Sequence, residues 1–422
     1  MPAFSIPLSG LTVSSAALST VANNLANLNT IGYKDQQLQF ADLFYENLGT
    51  NGAGDPIQQG AGATISSEPS NFTQGNVTPT GVSTDVAIMG GGFFVVQKNG
   101  VQSFTRAGNF EVGTDNLLET SGGQQVLGYQ AVSGVIDTSA GLGPLALGAG
   151  TISPATTTTN AEMVSNLDAT AAVGTTYATN VTVYDSLGAS HNITFTYTKT
   201  GTNTWDYSVS IPLADITPAA GTTPPDPVVL KTGTLTFDGN GNLATPTPAN
   251  GSIAISTTAV GTLADGANDL AFNWNLYDKN NNGFLTQLAS ANSTSSIQQD
   301  GSGSGTLVKF DIGSDGTITG SFSNGKTAIL GQIALASFAD EQGLSHVGDN
   351  DFAPTLASGQ PTIGAPATGG LGSISGGALE QSNVDIAGEF ASLIVAQRSY
   401  EANARVVTTF DQVAQDTINL KQ

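Results

Sequence analysis

Leu11, Ser14, Leu18, Val21, Leu25 and Leu28 fall at alternating steps of three and four, in a stretch where no charged side chain precedes Lys34. That spacing predicts an amphipathic helix with a coiled-coil seam. Near the other end Ile386, Phe390, Leu393, Tyr400, Ala404, Val407, Ala414 and Ile418 repeat it, with Gln397 and Asp411 standing at two seam positions. Between the two stripes the period changes to two. Ile193, Phe195 and Tyr197 alternate with Thr194, Thr196 and Thr198, and Trp205, Tyr207, Val209 and Ile211 repeat the pattern across a turn at 201–203. Half-buried antiparallel strands are expected there, with both tryptophans, Trp205 and Trp274, in a core. The pattern as a whole predicts a mainly β protein whose terminal α-helices pair with each other or with neighbours.

Pro7 suits a first helical turn, and a helix over Leu8 to Leu28 would be a rod of roughly 30 Å at 1.5 Å per residue. Its propensity is poor, since Thr12, Val13, Ser14, Ser15, Ser19, Thr20, Val21, Asn23, Asn24 and Asn27 prefer other conformations. The helix is therefore expected to be unfolded in the monomer and to fold when its seam is buried. A buried core helix of an ordinary domain is the blander alternative. Further on, Val77, Val82, Val86 and Ile88 lead into Gly90-Gly91-Gly92-Phe93-Phe94-Val95-Val96, a turn at Asn99-Gly100, and Phe104 to Phe110. This reads as strand, glycine turn, buried strand and hairpin. The triple glycine is no phosphate cradle, because no lysine follows and no helix opens after it. Val308, Phe310 and Ile312 alternate again, with turns at Asp315-Gly316 and Asn324-Gly325 before Ile329 to Phe338. Residues 34–70 and 355–381 hold few apolar anchors and read as connectors.

Composition narrows the function. Across 422 residues, 33 acidic side chains face 11 basic ones, for a net charge of −22, and no cluster of lysine or arginine occurs. Nucleic acid and anionic lipid are poor partners for such a surface. With no cysteine, disulfides and cysteine chemistry are excluded, and stability must come from packing or assembly. The N-terminal stretch lacks the positive region and continuous apolar run of a cleavable secretory signal. No stretch is expected to approach the ~18 apolar residues of a membrane span.

Two segments carry a resemblance. Ala22-Asn23-Asn24-Leu25-Ala26-Asn27, followed by Asn29-Thr30-Ile31-Gly32-Tyr33-Lys34, resembles the N-terminal signature of bacterial flagellar axial proteins, the rod, hook and hook-junction family. Asparagines near a helix end bond freed backbone groups, and Gly32 supplies a left-handed stop. Gly377-Ala378-Leu379-Glu380-Gln381-Ser382-Asn383-Val384-Asp385 and Val395-Ala396-Gln397-Arg398-Ser399-Tyr400 resemble its C-terminal signature. Ser382 and Asp385 are expected to form a capping box for the last helix. The Gly-Phe-Phe run, Thr105-Arg106-Ala107-Gly108 and Gly331 to Phe338 are similar to the family's inner β-domain. The resemblance implies discontinuous antiparallel β-domains, an inner one interrupted by an inserted outer one, with an N/C-terminal helical coiled-coil pair. The boundaries expected are 1–33 for the N-terminal axial helix segment, 34–70 for a connector, 71–148 and 296–354 for the two halves of the inner domain, and 149–295 for the outer domain. A second connector covers 355–381 and the C-terminal axial helix 382–422. Rod members are shorter and lack an outer insertion, while hook-junction members have different middles, so the hook branch fits best.

The resemblance implies a structural subunit, not an enzyme, which assembles into a flexible curved tube joining basal body to filament and transmitting torque as a universal joint. Its implied partners are further copies of itself, the distal rod, hook cap and hook-filament junction proteins, and the flagellar export apparatus. Its implied location is extracellular, reached without a cleaved signal peptide. No cofactor is expected. The self-assembly interface is expected to use Leu11, Leu18, Val21, Leu25, Leu28, Ile386, Phe390, Leu393, Tyr400, Val407 and Ile418. Asn23, Asn24, Asn27, Gly32, Tyr33, Ser382, Asn383, Val384 and Asp385 carry the family motif.

Catalytic and metal chemistry find little footing. His191 and His346 are the only histidines; a zinc site would need carboxylates from distant segments, and solvated turns are the expected setting for both. Asp278-Lys279-Asn280-Asn281-Asn282-Gly283 begins like a calcium loop, but Ala289 stands where a bidentate glutamate is required, so an Asn/Gly turn is expected. No Gly-x-Ser-x-Gly elbow, Walker loop or dinucleotide fingerprint occurs. The rival class is a secreted acidic β-rich hydrolase or adhesin, whose paired carboxylates need only meet in space; it leaves both terminal seams unexplained.

Overall fold

A computed structural model describes residues 5–132, 134–148, 151–219 and 221–419. Helix α1 (Ser5–Ala26) and helix α2 (Ile386–Asn419) bracket a chain that is otherwise almost entirely strand. The described residues divide into two compact units. The first holds those up to 148, Lys309–Gly320 and those from Thr327 on; the second holds those from 151 to Val308 with Ser321–Lys326.

In the first unit Phe93–Lys98 lies between Val101–Thr105 and Gln125–Val132, and also pairs with Leu335–Ser337, always antiparallel. Gln125–Val132 in turn pairs with Thr327–Ile333 and Leu142–Pro144. The hairpin turns where the sequence places it, with Asn99 and Gly100 both at positive φ (52° and 82°), the signature of the primed turns that suit right-twisted strands. Phe93, Val95, Phe104, Leu127 and Phe352 form the core beneath this sheet. Phe72 meets Phe93 edge-on at 5.6 Å, and Phe338 meets Phe104 at 4.9 Å, the geometry aromatic quadrupoles favour.

Both expected connectors are more structured than the sequence suggests. Within 34–70, Gln39–Asp42 pairs with Ala63–Ser67 and Glu46–Thr50 with Pro56–Gln59, making a two-stranded arm. Phe40, Ile57 and Ile65 on it are exposed, so it lacks the one-sided alternation by which a strand is recognised. Within 355–381, Ser373–Gly376 pairs with Val86–Met89 and Ala378–Glu380 with Val77–Pro79. Ile374, Ala378, Leu379 and Glu380 are buried there. This stretch is part of the inner fold and brings the C-terminal signature back onto early strands.

The second unit shares one core between two sheets. One is an antiparallel series of Thr176–Tyr184, Ser190–Gly201, Thr204–Ile211, Val228–Phe237 and Leu243–Thr245. Its alternating Ile193, Phe195, Tyr197, Trp205, Val209 and Ile211 are buried as the period predicts. The other centres on Asn160–Asp168, which pairs antiparallel with Ser293–Gln299 but parallel with Ala271–Asn275 and Leu285–Leu288. Trp205 and Trp274 are both fully buried, and Phe195 and Tyr207 meet Trp274 at 4.9 and 5.3 Å. The chain leaves this unit at 308, later than the expected 295, because Ser293–Gln299 is a polar edge strand. Asp278 makes a turn as expected, its Oδ1 accepting from the backbone N–H of Asn280 and Asn282, with Asn281 at φ 63°.

Two expectations are corrected here. His191 is no solvated turn residue; it lies buried on Ser190–Gly201. His346 stays at the surface, on the strand Ser345–Gly348, with Nε2 3.0 Å from Ser70 Oγ. By length and composition α1 also qualifies as a membrane-crossing helix, which the sequence reading did not anticipate. Its buried residues include the polar Ser14, Thr20 and Asn24, which suits packing against protein.

Candidate assembly site

The helix pair is built inside one chain. α1 and α2 pack along each other, so closely that a Cβ on Gly10 would lie 2.8 Å from the Asn403 side chain. At the other end of the contact Asn24 Nδ2 donates to Glu389 Oε1 at 3.1 Å. Of the expected α1 seam, Val21 is buried and Leu11, Leu18, Leu25 and Leu28 are half-buried. The α2 seam divides. Leu393 and Val407 are half-buried, whereas Ile386, Phe390, Tyr400 and Ile418 are exposed. The single stripe read from the sequence therefore becomes two faces, because Glu389, Ala396 and Asn403 take places toward α1 that a strict heptad would give to larger side chains.

Ile386, Phe390, Ile394, Val395, Tyr400, Val406, Phe410, Val413 and Ile418 on α2 are between 37% and 66% exposed. Single exposed apolar residues are ordinary, but so many on one helix make a candidate interaction surface. A groove of about 570 Å³ beside it is lined by Val13, Ala17, Val21, Phe40 and Val395.

Beneath the helices the motif residues converge. Asn24 uses its whole bonding capacity: Nδ2 also donates to Gln36 O at 2.8 Å, while Oδ1 accepts from Gln36 N at 3.0 Å and from Tyr33 Oη at 3.1 Å. Burial, aided by Asp35, Glu68 and Glu389, pushes the Tyr33 phenol up to about 12. Asn23 donates to that phenol at 3.1 Å, and Asn27 bonds back to Asn23 O at 3.0 Å. Gly32 stands at φ +67°, its N–H 2.8 Å from Glu380 O, where a Cβ would come within 2.6 Å of the Arg106 backbone. Only glycine fits that approach. From the C-terminal signature, Asn383 Oδ1 accepts from Asp35 N at 2.8 Å and Nδ2 donates to Asn71 O at 2.8 Å. Val384 is buried beside it in sequence. The capping box resolves differently from expectation. Asp385 alone caps α2, accepting from Ala387 N at 3.1 Å, while Ser382 Oγ accepts from Val384 N in the preceding turn.

Sequence reasoning quoted Lys34, Arg106 and Glu380 within motifs but gave them no role. The structure buries all three together. Lys34 Nζ lies 2.6 Å from Glu380 Oε1 and donates to Thr73 O, and Arg106 Nη1 lies 3.4 Å from Glu380 Oε2. Burial depresses both the lysine and the arginine pKa against the opposing pull of Glu380. The available signal was scarcity: in a chain only 10% charged, each of these follows directly on a run of uncharged residues. At the helix contact, partial burial likewise raises the Glu389 pKa.

Comparison with known proteins agrees with this arrangement. Family profiles match residues 6–34 (flagella basal body rod protein), 87–163 (flagellar hook protein FlgE/F/G D1 domain), 151–302 (flagellar basal body protein FlaE D2 domain) and 375–420 (flagellar basal body rod FlgEFG protein C-terminal). The flagellar hook protein FlgE of Escherichia coli K12 is 34% identical, covering 99% of this chain and 100% of its own length. Those of Borreliella burgdorferi and Rhizobium meliloti are each 32% identical, over 98% of both chains. Among solved structures, that of Helicobacter pylori flagellar hook protein FlgE2 aligns over 72% of this chain and 100% of its own, with a TM-score of 0.47 at 16% identity. With its terminal helices joined through the motif residues and near full-length flagellar hook proteins more than 30% identical to it, the chain belongs to the flagellar hook protein family.

Proposed function

We propose that this chain is a structural subunit that polymerises through its paired terminal helices into the tube of a bacterial flagellar hook. The observation that carries the reading is the large apolar surface that α2 leaves exposed, which a lone chain leaves in water. Removing apolar surface from water is favourable at roughly 25 cal/mol per Å², so neighbouring helix pairs supply both the cover and the drive to assemble. The function is mechanical: an extracellular joint that carries torque from basal body to filament, with no reaction catalysed. Further copies of the chain are its principal partners, with the distal rod, hook cap and junction proteins at its ends, and it reaches them through the flagellar export apparatus.

Electron microscopy of the purified chain under polymerising conditions tests this, with tubes as the expected result. Phe390→Asp should abolish them while leaving both β units folded, since a carboxylate at a subunit contact costs several kcal/mol unless it finds a partner. Normal tubes from Phe390→Asp would remove that part of α2 from the interface.

A further inference from the structure

We propose that Asp185, His191 and Asp265 in the second unit bind one divalent transition cation of the zinc class, with Asp215 orienting the imidazole. The sequence offered no reason to expect this, because the carboxylates come from three separate turns and meet only in the fold. Asp185 Oδ2 lies 3.0 Å and Asp265 Oδ2 3.7 Å from His191 Nε2. The ligand atoms of the three residues all fall within 4.8 Å of one another. A tetrahedral ion with bonds of about 2.05 Å spaces its ligand atoms about 3.3 Å apart, between the two distances to Nε2.

The surroundings point the same way. Asp185 Oδ1 is held by the backbone N–H groups of Leu187 and Ala189 at 2.8 and 3.0 Å. The carboxylate is thereby fixed, with Oδ2 turned to the imidazole. The His191 side chain is only 6% exposed, and its Nδ1 is buried without a hydrogen-bond partner. Asp215 Oδ2 stands 3.5 Å from that nitrogen. A metal-bound histidine characteristically donates its second ring N–H to an outer carboxylate that fixes the tautomer, and Asp215 is the carboxylate placed to take that role. Among the described residues no lysine or arginine forms an ion pair with Asp185, Asp215 or Asp265, so the local negative charge has the imidazole alone to offset it. Asp265 and Asp215 are each 31% exposed at the side chain, which leaves a path for the ion and room for water as a fourth ligand. A nitrogen donor and only two carboxylates suit zinc, cobalt or nickel; calcium and magnesium prefer a larger set of oxygens. The bound ion would clasp the turn at 185–189, the strand carrying His191 and the turn at Asp265, stiffening one end of the unit.

The test uses the full-length chain, stripped with EDTA and titrated with ZnCl2 or CoCl2. One ion per chain by calorimetry, a zinc-dependent rise in the melting temperature of the second unit, and a cobalt d–d absorption band are expected. His191→Gln and Asp265→Asn should each lose the band and weaken binding at least tenfold. Asp265→Asn, at the exposed edge, keeps the test decisive where His191→Gln fails to fold. The proposal is overturned by absence of a zinc-dependent shift, by a shift that Asp265→Asn retains, or by an equal response to calcium. An EDTA-treated protein indifferent to zinc, in which His191→Gln loses stability only in acid, would identify a protonated imidazole as the counter-charge and overturn it as well.

Discussion

The second unit and the terminal helices draw on the same small set of apolar residues and dispose of them oppositely. In the second unit Phe195, Trp205, Val209, Leu235 and Trp274 are at most 1% exposed, and two sheets close over them. On α2, Ala396 is the one residue buried among the described positions, and nine large apolar side chains remain exposed. A region that completes its own core behaves as a module. A region that does not leaves apolar surface for a neighbour to cover. Beneath the helices the first unit spends its scarce charges on a buried Lys34–Glu380–Arg106 cluster, which fixes the direction in which the chain ends emerge and adds nothing to apolar cover. Replacing a buried ion cluster by well-packed apolar residues is often neutral or stabilising, so its use here is better understood as positional than as a source of stability.

This contrast can be broken most severely by removing the module. Ile152 pairs with Thr306 and Ser153 with Gly305, so the second unit enters and leaves on adjacent strands. Replacing residues 153–305 by a short Gly/Ser linker should leave a first unit that folds and still forms tubes, with altered curvature by electron microscopy. Loss of folding would show that the two units share a core. Next in size, Trp274→Ala should destabilise the second unit by about 3–5 kcal/mol, seen as an earlier melting transition, while hydrogen exchange in α1 and α2 stays unchanged. Glu380→Ala tests the first unit with a comparable or slightly smaller effect. It strands Lys34 and Arg106 without a counter-charge, at a cost of about 3–5 kcal/mol, and exchange protection around Gly32 and Asn383 should fall while the second unit melts as before.

The smallest effect concerns pH. Burial raises the Glu389 pKa, so the folded state holds that proton more tightly than the unfolded chain does. Stability of the helix pair should therefore rise as pH falls from above the raised pKa toward the ordinary carboxylate value. Glu389→Gln should remove that dependence and stabilise the pair at neutral pH by under about 1 kcal/mol, keeping an acceptor for Asn24. Asp300 runs the other way. Although its partial burial pushes upward, hydrogen bonds from Thr159 and Asn160 hold it at about 2. Its contribution to the second unit is complete above the unfolded carboxylate value and is lost as pH falls through about 2. Titrating both units by NMR separates the two slopes.

What the sequence could show depended on whether a signal was local. The outer strands were legible because burial on one side enforces a period of two, as in Ile193, Phe195 and Tyr197. The hairpin at Asn99-Gly100 was legible because its backbone needs positive φ. The arm at 39–67 was not, since strands wet on both faces alternate nothing. The parallel pairing of Asn160–Asp168 was equally hidden, because its partners lie more than a hundred residues downstream. The α2 stripe was found, but its division into two faces depends on how small Gly10 and Ala396 let the helices approach. Glu380 with Lys34 and Arg106, and His191 with its carboxylates, are meetings in space that no spacing encodes.

The sequence separation of those meetings carries a consequence for the order of events. Lys34 and Glu380 lie 346 residues apart, and Asn24 and Glu389 lie 365 apart. Closing so long a loop first is entropically unfavourable, by about 0.6 kcal/mol for each doubling of length, so intervening segments that fold earlier shorten it. During synthesis at about 5–20 residues per second, α1 waits roughly 20–70 s before its partner helix exists. The second unit, whose last residues are Ser321–Lys326, is complete only late in that interval, and the α2 surface proposed for polymerisation is made last of all.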